Sequence, residues 1–125
     1  MTRDDVQAWL DRYLAAWRAN EPEQIESLFT EGATYRYHPY GADALQGREA
    51  IVAGWLEEGD DPDAWDAHYE PFAVDRDRAV ATGWSRYTAT DDEPERTFHN
   101  VFLLRFAPDG RCEEFTELYM LERTP

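Results

Sequence analysis

Four long segments of alternating apolar and polar residues fill the second half of the chain and constrain its fold more than any other feature. They cover residues 65–74, 78–90, 96–106 and 112–121. Side chains two positions apart point to the same face of a β-sheet, so each alternation predicts a strand with one buried face. Short turns rich in Asp, Pro and Gly separate the segments, as in hairpins. Because twist accumulates along strands of this length, we expect a strongly curved antiparallel sheet.

The first half of the chain predicts three helices and one short strand. Apolar residues recur at helical spacing in the first helix, which begins where Thr2 and Asp5 resemble a capping box. The expected elements are a helix over residues 6–17, a helix from Pro22 that stops at Gly32, a strand over residues 33–38 and a helix over residues 47–58. The acidic run over residues 59–63 is expected to be a solvated loop without a ligand. The order α-α-β-α-β-β-β-β predicts a single α+β domain over residues 1–125, a cone-shaped α+β barrel with the helices packed on the curved sheet.

Both faces of the segment over residues 96–106 carry large apolar side chains. Val101 and Leu103 lie on the face opposite Phe102 and Leu104. One face covers the interior, and the simplest candidate to cover the other is a second copy of the chain. We therefore expect a homodimer.

Composition excludes several classes of partner and chemistry. The 125 residues carry 12 basic and 27 acidic side chains, and the formal net charge of −15 disfavours nucleic acid and anionic membrane as partners. No apolar run approaches transmembrane length and the N-terminus has no basic-then-apolar signal, so a cytoplasmic location is expected. Every basic residue is Arg, which excludes imine chemistry through a lysine. No phosphate loop, nucleophile elbow or dinucleotide fingerprint occurs, and neither a cofactor nor a metal is expected.

Three polar side chains fall on the strand faces that the alternation predicts to be buried: Arg86, Asn100 and Glu117. A buried charge is costly unless it is paired or hydrated. These residues therefore either pair with one another or line a cavity that holds a polar group. Arg86 and Glu117 could form a structural ion pair. Alternatively, Arg86 could hold an oxygen atom of a ligand while Glu117 orients it or moves a proton.

His38 and several aromatic residues complete the candidate site. His38 is a general-base candidate because histidine titrates near neutral pH, or it bonds to backbone at a strand end. Asn100 could anchor a ligand carbonyl or cap a bulge. Phenols at a pocket floor can donate to a developing oxyanion, with ordinary aromatic packing as the alternative. The aromatic candidates for the pocket are Tyr13, Tyr35, Tyr37, Trp55, Trp84, Phe102 and Tyr119.

The element order and several short motifs resemble the nuclear transport factor 2-like superfamily, and within it the SnoaL-like group. The matching motifs are Leu28-Phe29, Ala33-Thr34-Tyr35, Pro39, Gly47-Arg48-Glu49-Ala50-Ile51, Asp109-Gly110-Arg111 and Glu114-Phe115-Thr116-Glu117. The resemblance covers nearly the whole chain and implies a cone whose open end holds a pocket. Members of this superfamily include isomerases, cyclases, hydrolases and binding domains, so the fold by itself does not fix a function.

The ketosteroid isomerases of this superfamily resemble the chain in part of their site. Their first-helix tyrosine matches Tyr13, and their general base before a proline corresponds to His38, which precedes Pro39. Phe102 stands where these enzymes carry a second acid. The resemblance thus implies a base and one oxyanion donor.

The limonene epoxide hydrolases resemble the chain at other positions. Their first-strand tyrosine matches Tyr35 and their middle-strand arginine matches Arg86, while Glu117 lies near their late aspartate. Tyr37 and Thr88 stand where these enzymes carry an asparagine and an aspartate. The chain retains fragments of both kinds of site and completes neither.

Three functions are consistent with these observations. The first is a cofactor-free acid–base enzyme for a small, largely apolar molecule with an oxygen function, of isomerase, cyclase, dehydratase or epoxide hydrolase type. Arg86 and Tyr13 would stabilise charge on oxygen, and His38 or Glu117 would move protons. The second is a binding module without turnover. The third is a dimerisation domain whose pocket is vestigial.

Overall fold

The computed structural model describes residues 1–123, which form three helices and a six-stranded sheet. The elements are α1 (Arg3–Ala19), α2 (Pro22–Glu26), β1 (Phe29–Arg36), β2 (Leu45–Gln46), α3 (Arg48–Glu58), β3 (Trp65–Asp75), β4 (Arg78–Tyr87), β5 (Arg96–Phe106) and β6 (Cys112–Leu121). The strand order is β2-β1-β6-β5-β4-β3, with β1 and β6 parallel and the other pairs antiparallel. The expected α+β architecture is confirmed. The added strand β2 is only two residues long, so no alternation could reveal it.

The capping box at the start of α1 is confirmed. The backbone N–H of Asp5 donates to Thr2 Oγ1 over 3.1 Å, and the backbone N–H of Thr2 donates to Asp5 Oδ2 over 2.9 Å. The helix ends at Ala19, and its C-cap residue Asn20 has a left-handed φ of 53°. The buried face of α1 consists of Val6, Trp9, Leu10, Tyr13 and Ala16. None of the helices within residues 1–123 combines the length and the apolar composition that crossing a membrane requires.

The region between α1 and α3 differs from the sequence-based prediction. Helix α2 ends at Glu26, and β1 already begins at Phe29 instead of after Gly32. Phe29 pairs with Cys112 of β6, and the register shifts before Thr34 resumes the pairing. Gly32 therefore lies in an irregular stretch of β1, a common place for glycine in a strand. Long-range pairing to β6, which local sequence does not report, decides where this strand begins.

The inner face of β4 is built from small residues. A Cβ atom added to Gly83 would lie only 1.9 Å from the backbone oxygen of His68 and 2.5 Å from Cδ1 of Tyr69, so only glycine fits there. Ala79, Ala81 and Ser85 share this face and are buried. The alternation predicted the opposite face to be buried because it carries the larger side chains. That prediction is wrong. The face with the small residues is the buried one, because small side chains on β4 leave room for the aromatic rings of the neighbouring strands.

An aromatic core fills the space between α1 and the inner face of the sheet. The rings of Tyr35 and Phe115 stack with centroids 4.3 Å apart, and the ring of Tyr13 also stacks with Phe115, with centroids 5.6 Å apart. Phe102 is fully buried and packs against Phe115 at 4.7 Å. Cys112 is also fully buried, and burial raises the pKa of its thiol. This core supports the inner end of the site.

Candidate functional site

A cavity of about 90 Å³ lies between the helices and the inner face of the sheet. Seven aromatic side chains line it: Tyr13, Trp17, Tyr35, Tyr37, Trp55, Tyr69 and Tyr87. Five polar side chains complete the lining: Asn20, Glu58, Asp60, Ser85 and Glu117. A water molecule occupies roughly 30 Å³ of liquid, so the cavity has room for a few water molecules or one small chemical group.

A wider groove of about 290 Å³ continues from the cavity toward the end of β6. The two share the lining residues Tyr37, Glu58, Ser85, Tyr87 and Glu117. Phe98, Asn100 and Tyr119 line only the groove. A ligand could therefore place one small group in the cavity and a larger part in the groove.

Glu117 occupies the centre of this arrangement. It lies on β6 two residues beyond the buried Phe115, so both side chains share the inner face. Burial, and secondly the negative charge of Glu58, raises the pKa of Glu117 to about 7. The carboxyl group therefore exchanges its proton near neutral pH, which suits a general acid or base.

Phenol groups from four elements surround Glu117. Burial is the main cause that raises the pKa values of Tyr13 on α1, Tyr35 on β1, Tyr69 on β3 and Tyr87 on β4, and the charge of Glu117 raises all four further. The pKa of Tyr37 rises to about 12 for the same main cause. All these hydroxyls keep their protons at neutral pH. They can donate hydrogen bonds to an oxygen atom of a ligand.

Asn100 is buried on the inner face of β5, as the sequence predicts. Its amide nitrogen donates to Tyr69 Oη over 2.8 Å and to Ser85 Oγ over 3.0 Å. Its Oδ1 atom is buried without a hydrogen-bond partner within residues 1–123. The side chain thus orients two lining residues and leaves one acceptor unsatisfied.

Two further carboxylates stand at the cavity, where α3 ends. Asp60 is held by Trp17, whose indole N–H donates to Asp60 Oδ2 over 2.9 Å, and by Asn20, whose amide donates to the Asp60 backbone oxygen over 3.0 Å. Burial and then the charges of Asp60 and Glu57 raise the pKa of Glu58. In the part of the chain that the structure describes, no Arg, Lys or His lines the cavity. Its electrostatic character is therefore acidic.

Arg86 does not reach this site, and its predicted place on the buried face is wrong. The residue lies on the outer face of β4, with about half of its side chain exposed. Its Nε atom is 3.4 Å from Thr97 Oγ1 and 3.8 Å from a carboxylate oxygen of Glu95. Its guanidinium lies 5.1 Å from the ring centroid of Trp84, which also faces outward. Because the inner face of β4 is the one with small residues, an ion pair with Glu117 does not form and Trp84 is not part of the cavity wall.

Two other expected site residues also lie outside the cavity. His38 follows β1 in a loop, where its Nδ1 contacts the Tyr40 backbone oxygen and its Nε2 is 3.2 Å from Asp43 Oδ2. His38 lines neither the cavity nor the groove. Phe102 lies in the packed core and lines neither cavity nor groove.

The structure brings most of the other expected residues together. Tyr13, Tyr35, Tyr37, Trp55 and Glu117 line the cavity, while Asn100 and the half-exposed Tyr119 line the groove. Sequence reasoning missed Trp17, Asn20, Glu58, Asp60, Tyr69, Ser85 and Tyr87. Ser85 and Tyr87 share the misassigned face of β4, so a correct assignment would have found them. Glu58 and Asp60 flank a helix end, where a sequence gives no distinction between a solvated acid and one that faces a cavity.

Solved structures with the same cone place the fold in the nuclear transport factor 2-like class. An NTF-2 like protein from Burkholderia xenovorans LB400 superposes with a TM-score of 0.72 at 12% identity, covering 98% of this chain and 88% of that one. An NTF2-like protein from Cytophaga hutchinsonii ATCC 33406 gives 0.71 at 10% identity, covering 96% and 100%. The epoxide hydrolase/cyclase-like enzyme SalBIII, which acts in pyran ring formation in the polyether salinomycin, gives 0.67 at 16% identity, covering 91% and 89%.

The family follows from the sequence itself. The SnoaL-like domain model matches residues 10–115, so the chain belongs to the SnoaL-like domain family. A search among curated proteins found no match. The predicted family and fold are thereby confirmed.

Proposed function

We propose that this SnoaL-like protein binds a small, largely apolar molecule with an oxygen function, and that Glu117 exchanges a proton with the bound molecule without a cofactor. The observation that carries this proposal is the surroundings of Glu117: a partly buried carboxyl group with a pKa of about 7, beside phenols that remain protonated. Acid–base catalysis requires at least a group that exchanges a proton and hydrogen-bond donors held in place beside it.

The division of roles follows from which residues line the cavity. Glu117 would accept or return the proton, and the phenols of Tyr13, Tyr35 and Tyr69 would stabilise negative charge on an oxygen atom. Sequence reasoning had given Arg86 the task of holding oxygen and His38 that of a base. Neither residue lines the cavity or the groove, so no chemical step is assigned to either.

Epoxide opening with ring closure is the reaction type that we favour, because the fold resembles that of an epoxide hydrolase/cyclase-like enzyme. In this step, a hydroxyl oxygen of the substrate attacks an epoxide carbon while the C–O bond of the epoxide breaks. Glu117 takes the hydroxyl proton, and a tyrosine hydroxyl gives a proton to the opened oxygen. Proton transfer from Glu117 back to the tyrosinate restores the site, so the reaction consumes no co-reactant.

The test is turnover of small hydroxy-epoxides, followed by gas chromatography of the cyclic ether product. We expect the wild-type rate to rise as pH passes through about 7, because Glu117 acts in its ionised form. Glu117→Gln should lower the rate by about 10²-fold or more, the usual contribution of a general base. Glu57→Gln, which removes an exposed carboxylate next to the site, should leave the rate unchanged.

A binding module is the alternative that the same experiment separates. If no hydroxy-epoxide turns over but the melting temperature still rises with ligand, the cavity binds without catalysis. Equal rates for wild type and Glu117→Gln would contradict the proposed role of Glu117.

A further inference from the structure

We propose that the molecule this cavity takes carries a positively charged amine, and that the ammonium group lies between the carboxylates of Glu58, Asp60 and Glu117. This inference rests on the proposed small-molecule site and specifies the chemistry of its ligand. It is carried by three features: the charge of the cavity lining, its aromatic side chains and an unsatisfied acceptor in the adjoining groove.

The first feature is the uncompensated negative charge. Three carboxyl groups line the cavity, and within residues 1–123 no basic side chain does so. Like charges in a partly desolvated space repel one another, which is why Glu58 contributes to the raised pKa of Glu117. A cation removes this repulsion, a neutral group leaves it in place and an anion increases it. The cavity therefore selects ligands by charge.

The second feature is the aromatic lining. Trp17 and Trp55 approach from the helices, while Tyr37 and Tyr87 approach from the sheet. Aromatic faces carry partial negative charge and attract ammonium groups, more strongly when the site is desolvated. A cation between these rings gains from them as well as from the carboxylates. Aromatic rings offer no comparable gain to a carboxylate ligand.

The third feature is the unpaired acceptor of Asn100. The residue is 3% exposed, and its Oδ1 atom has no hydrogen-bond partner in the described part of the chain. Both of its N–H groups are already used by Tyr69 and Ser85. Ionised carboxylates also only accept hydrogen bonds. A ligand that satisfies these acceptors must supply hydrogen-bond donors, and a protonated primary amine supplies three N–H donors together with a positive charge.

The dimensions set the size of the ligand. The cavity of about 90 Å³ accommodates the ammonium group with one or two carbon atoms. The groove of about 290 Å³ would hold the rest, with Phe98 and Tyr119 as an apolar contact. The class that fits is a primary amine on a small apolar or aromatic body.

An ammonium in this place couples binding to the ionisation of Glu117. The titratable groups that line the cavity with Glu117 are Glu58 at the end of α3, Asp60 just beyond it, Tyr13 on α1, Tyr35 on β1, Tyr37 just after β1, Tyr69 on β3 and Tyr87 on β4. All these tyrosines are neutral near pH 7, so the carboxylates determine the pH dependence. The bound cation lowers the pKa of Glu117 and converts this residue into its base form. The ligand would thus generate the base that acts on it.

The experiment compares three probes of similar shape and different charge: benzylamine, benzyl alcohol and benzoate. Affinities are measured by titration calorimetry at physiological ionic strength, which screens the general attraction of an acidic surface for cations. We expect benzylamine to bind at least about tenfold more tightly than benzyl alcohol and benzoate not to bind. Between about pH 6 and about pH 8, benzylamine affinity should rise about tenfold as the ionised fraction of Glu117 increases.

Matched variants identify the groups responsible. Glu117→Gln should weaken benzylamine binding and abolish its pH dependence. Glu58→Gln should weaken binding and shift the pH dependence to lower pH, because the charge of Glu58 helps to raise the pKa of Glu117. Glu57→Gln removes the same charge from an exposed position on the same helix and should bind like wild type. If it weakens binding as much as Glu58→Gln, the attraction belongs to the surface and the inference is wrong.

Other outcomes overturn the inference without affecting the proposed function. Equal or tighter binding of benzyl alcohol or benzoate, or no binding of any probe, contradicts an amine ligand. Turnover of hydroxy-epoxides that depends on Glu117 would still support acid–base chemistry in that case. Conversely, tight benzylamine binding with rates unchanged in Glu117→Gln would support the amine site and contradict the proposed function.

Discussion

Glu117 is ionised at a cost, because the fold removes most of its carboxyl group from water. Its pKa rises from 4.5 to about 7, so the folded protein binds this proton more tightly than the unfolded chain does. The resulting stabilisation is complete below the unfolded pKa and is lost as pH rises through about 7. Glu117→Gln has no such proton. Between about pH 5 and about pH 8, the free energy of unfolding of Glu117→Gln should increase by about 2 kcal/mol relative to that of wild type. Urea unfolding at both pH values measures this change.

The other carboxylates are present in both proteins, so their contribution to the pH dependence cancels when the unfolding free energy of the variant is compared with that of wild type. Glu57→Gln is the control, since it carries the same change in charge at an exposed position and should show no such pH-dependent gain. A difference between Glu117→Gln and wild type that stays constant with pH would contradict the raised pKa.

Substitution of Arg86, unlike that of Glu117, is expected to have little effect on stability or on the site. Its guanidinium is half-exposed and contacts Thr97, Glu95 and the ring of Trp84 on the outer face. Exposed contacts of this type contribute little, so Arg86→Met should cost less than about 1 kcal/mol in urea unfolding. Ligand affinity and any turnover should be unchanged. A folded variant that has lost ligand binding would show that Arg86 acts in the site after all.

At the scale of elements, the close approach of β3 and β4 depends on Gly83. Gly83→Ala would place a methyl group 1.9 Å from the backbone oxygen of His68, a contact that only a movement of the strands can relieve. We expect a loss on the order of 3 kcal/mol in the free energy of unfolding, or failure to fold. Chemical denaturation followed by tryptophan fluorescence provides the measurement.

Gly32 provides the matched control for this substitution. It also lies in a strand, but a Cβ atom there meets nothing within 4 Å and its φ is not left-handed. Gly32→Ala should leave stability unchanged or raise it by about 0.5 kcal/mol through the unfolded chain. Equal losses for both variants would mean that strand propensity, and not strand contact, explains the role of Gly83.

Strand β4 shows where sequence reasoning succeeds and where it fails. Alternation predicted β4 correctly as a strand, and it identified the inner faces of β5 and β6, with Asn100 and Glu117, correctly. It reversed β4 because Val80, Thr82 and Trp84 are larger than the residues between them. Size indicates a buried face only where the opposite layer leaves room for it. Next to the inner face of β4, the rings of Tyr69 from β3 and Phe102 from β5 occupy that room. This depends on three-dimensional packing, which the alternation within one strand does not report.

At the scale of the whole molecule, the cone could be predicted from element order and family motifs, whereas the composition of its cavity could not. Glu58 and Asp60 reach the cavity because Trp17 and Asn20 of the α1 end bind Asp60. These contacts join residues about forty positions apart in the sequence. Local patterns report periodicity and turns, and they contain no information about which loop closes over an open end.

The outer face of the sheet is the surface through which we expect two copies of the chain to associate. Leu103 is 42% exposed and Met120 is 69% exposed, and Val101 and Leu118 pair between them on the same face. An exposed apolar surface on a central pair of strands favours burial against a second copy. We expect a homodimer in sedimentation velocity experiments, and we expect Leu103→Glu to convert it to a monomer.

Leu56→Glu is the control for this prediction, because Leu56 is 39% exposed but lies on α3, away from the outer face. It should leave the dimer intact. Each chain carries a formal net charge of −15, so the two copies repel one another and association should strengthen as NaCl screens this repulsion. A monomer at all salt concentrations would contradict the proposed interface. So would dissociation by Leu56→Glu together with an intact dimer in Leu103→Glu, since that result would place the contact on the helices.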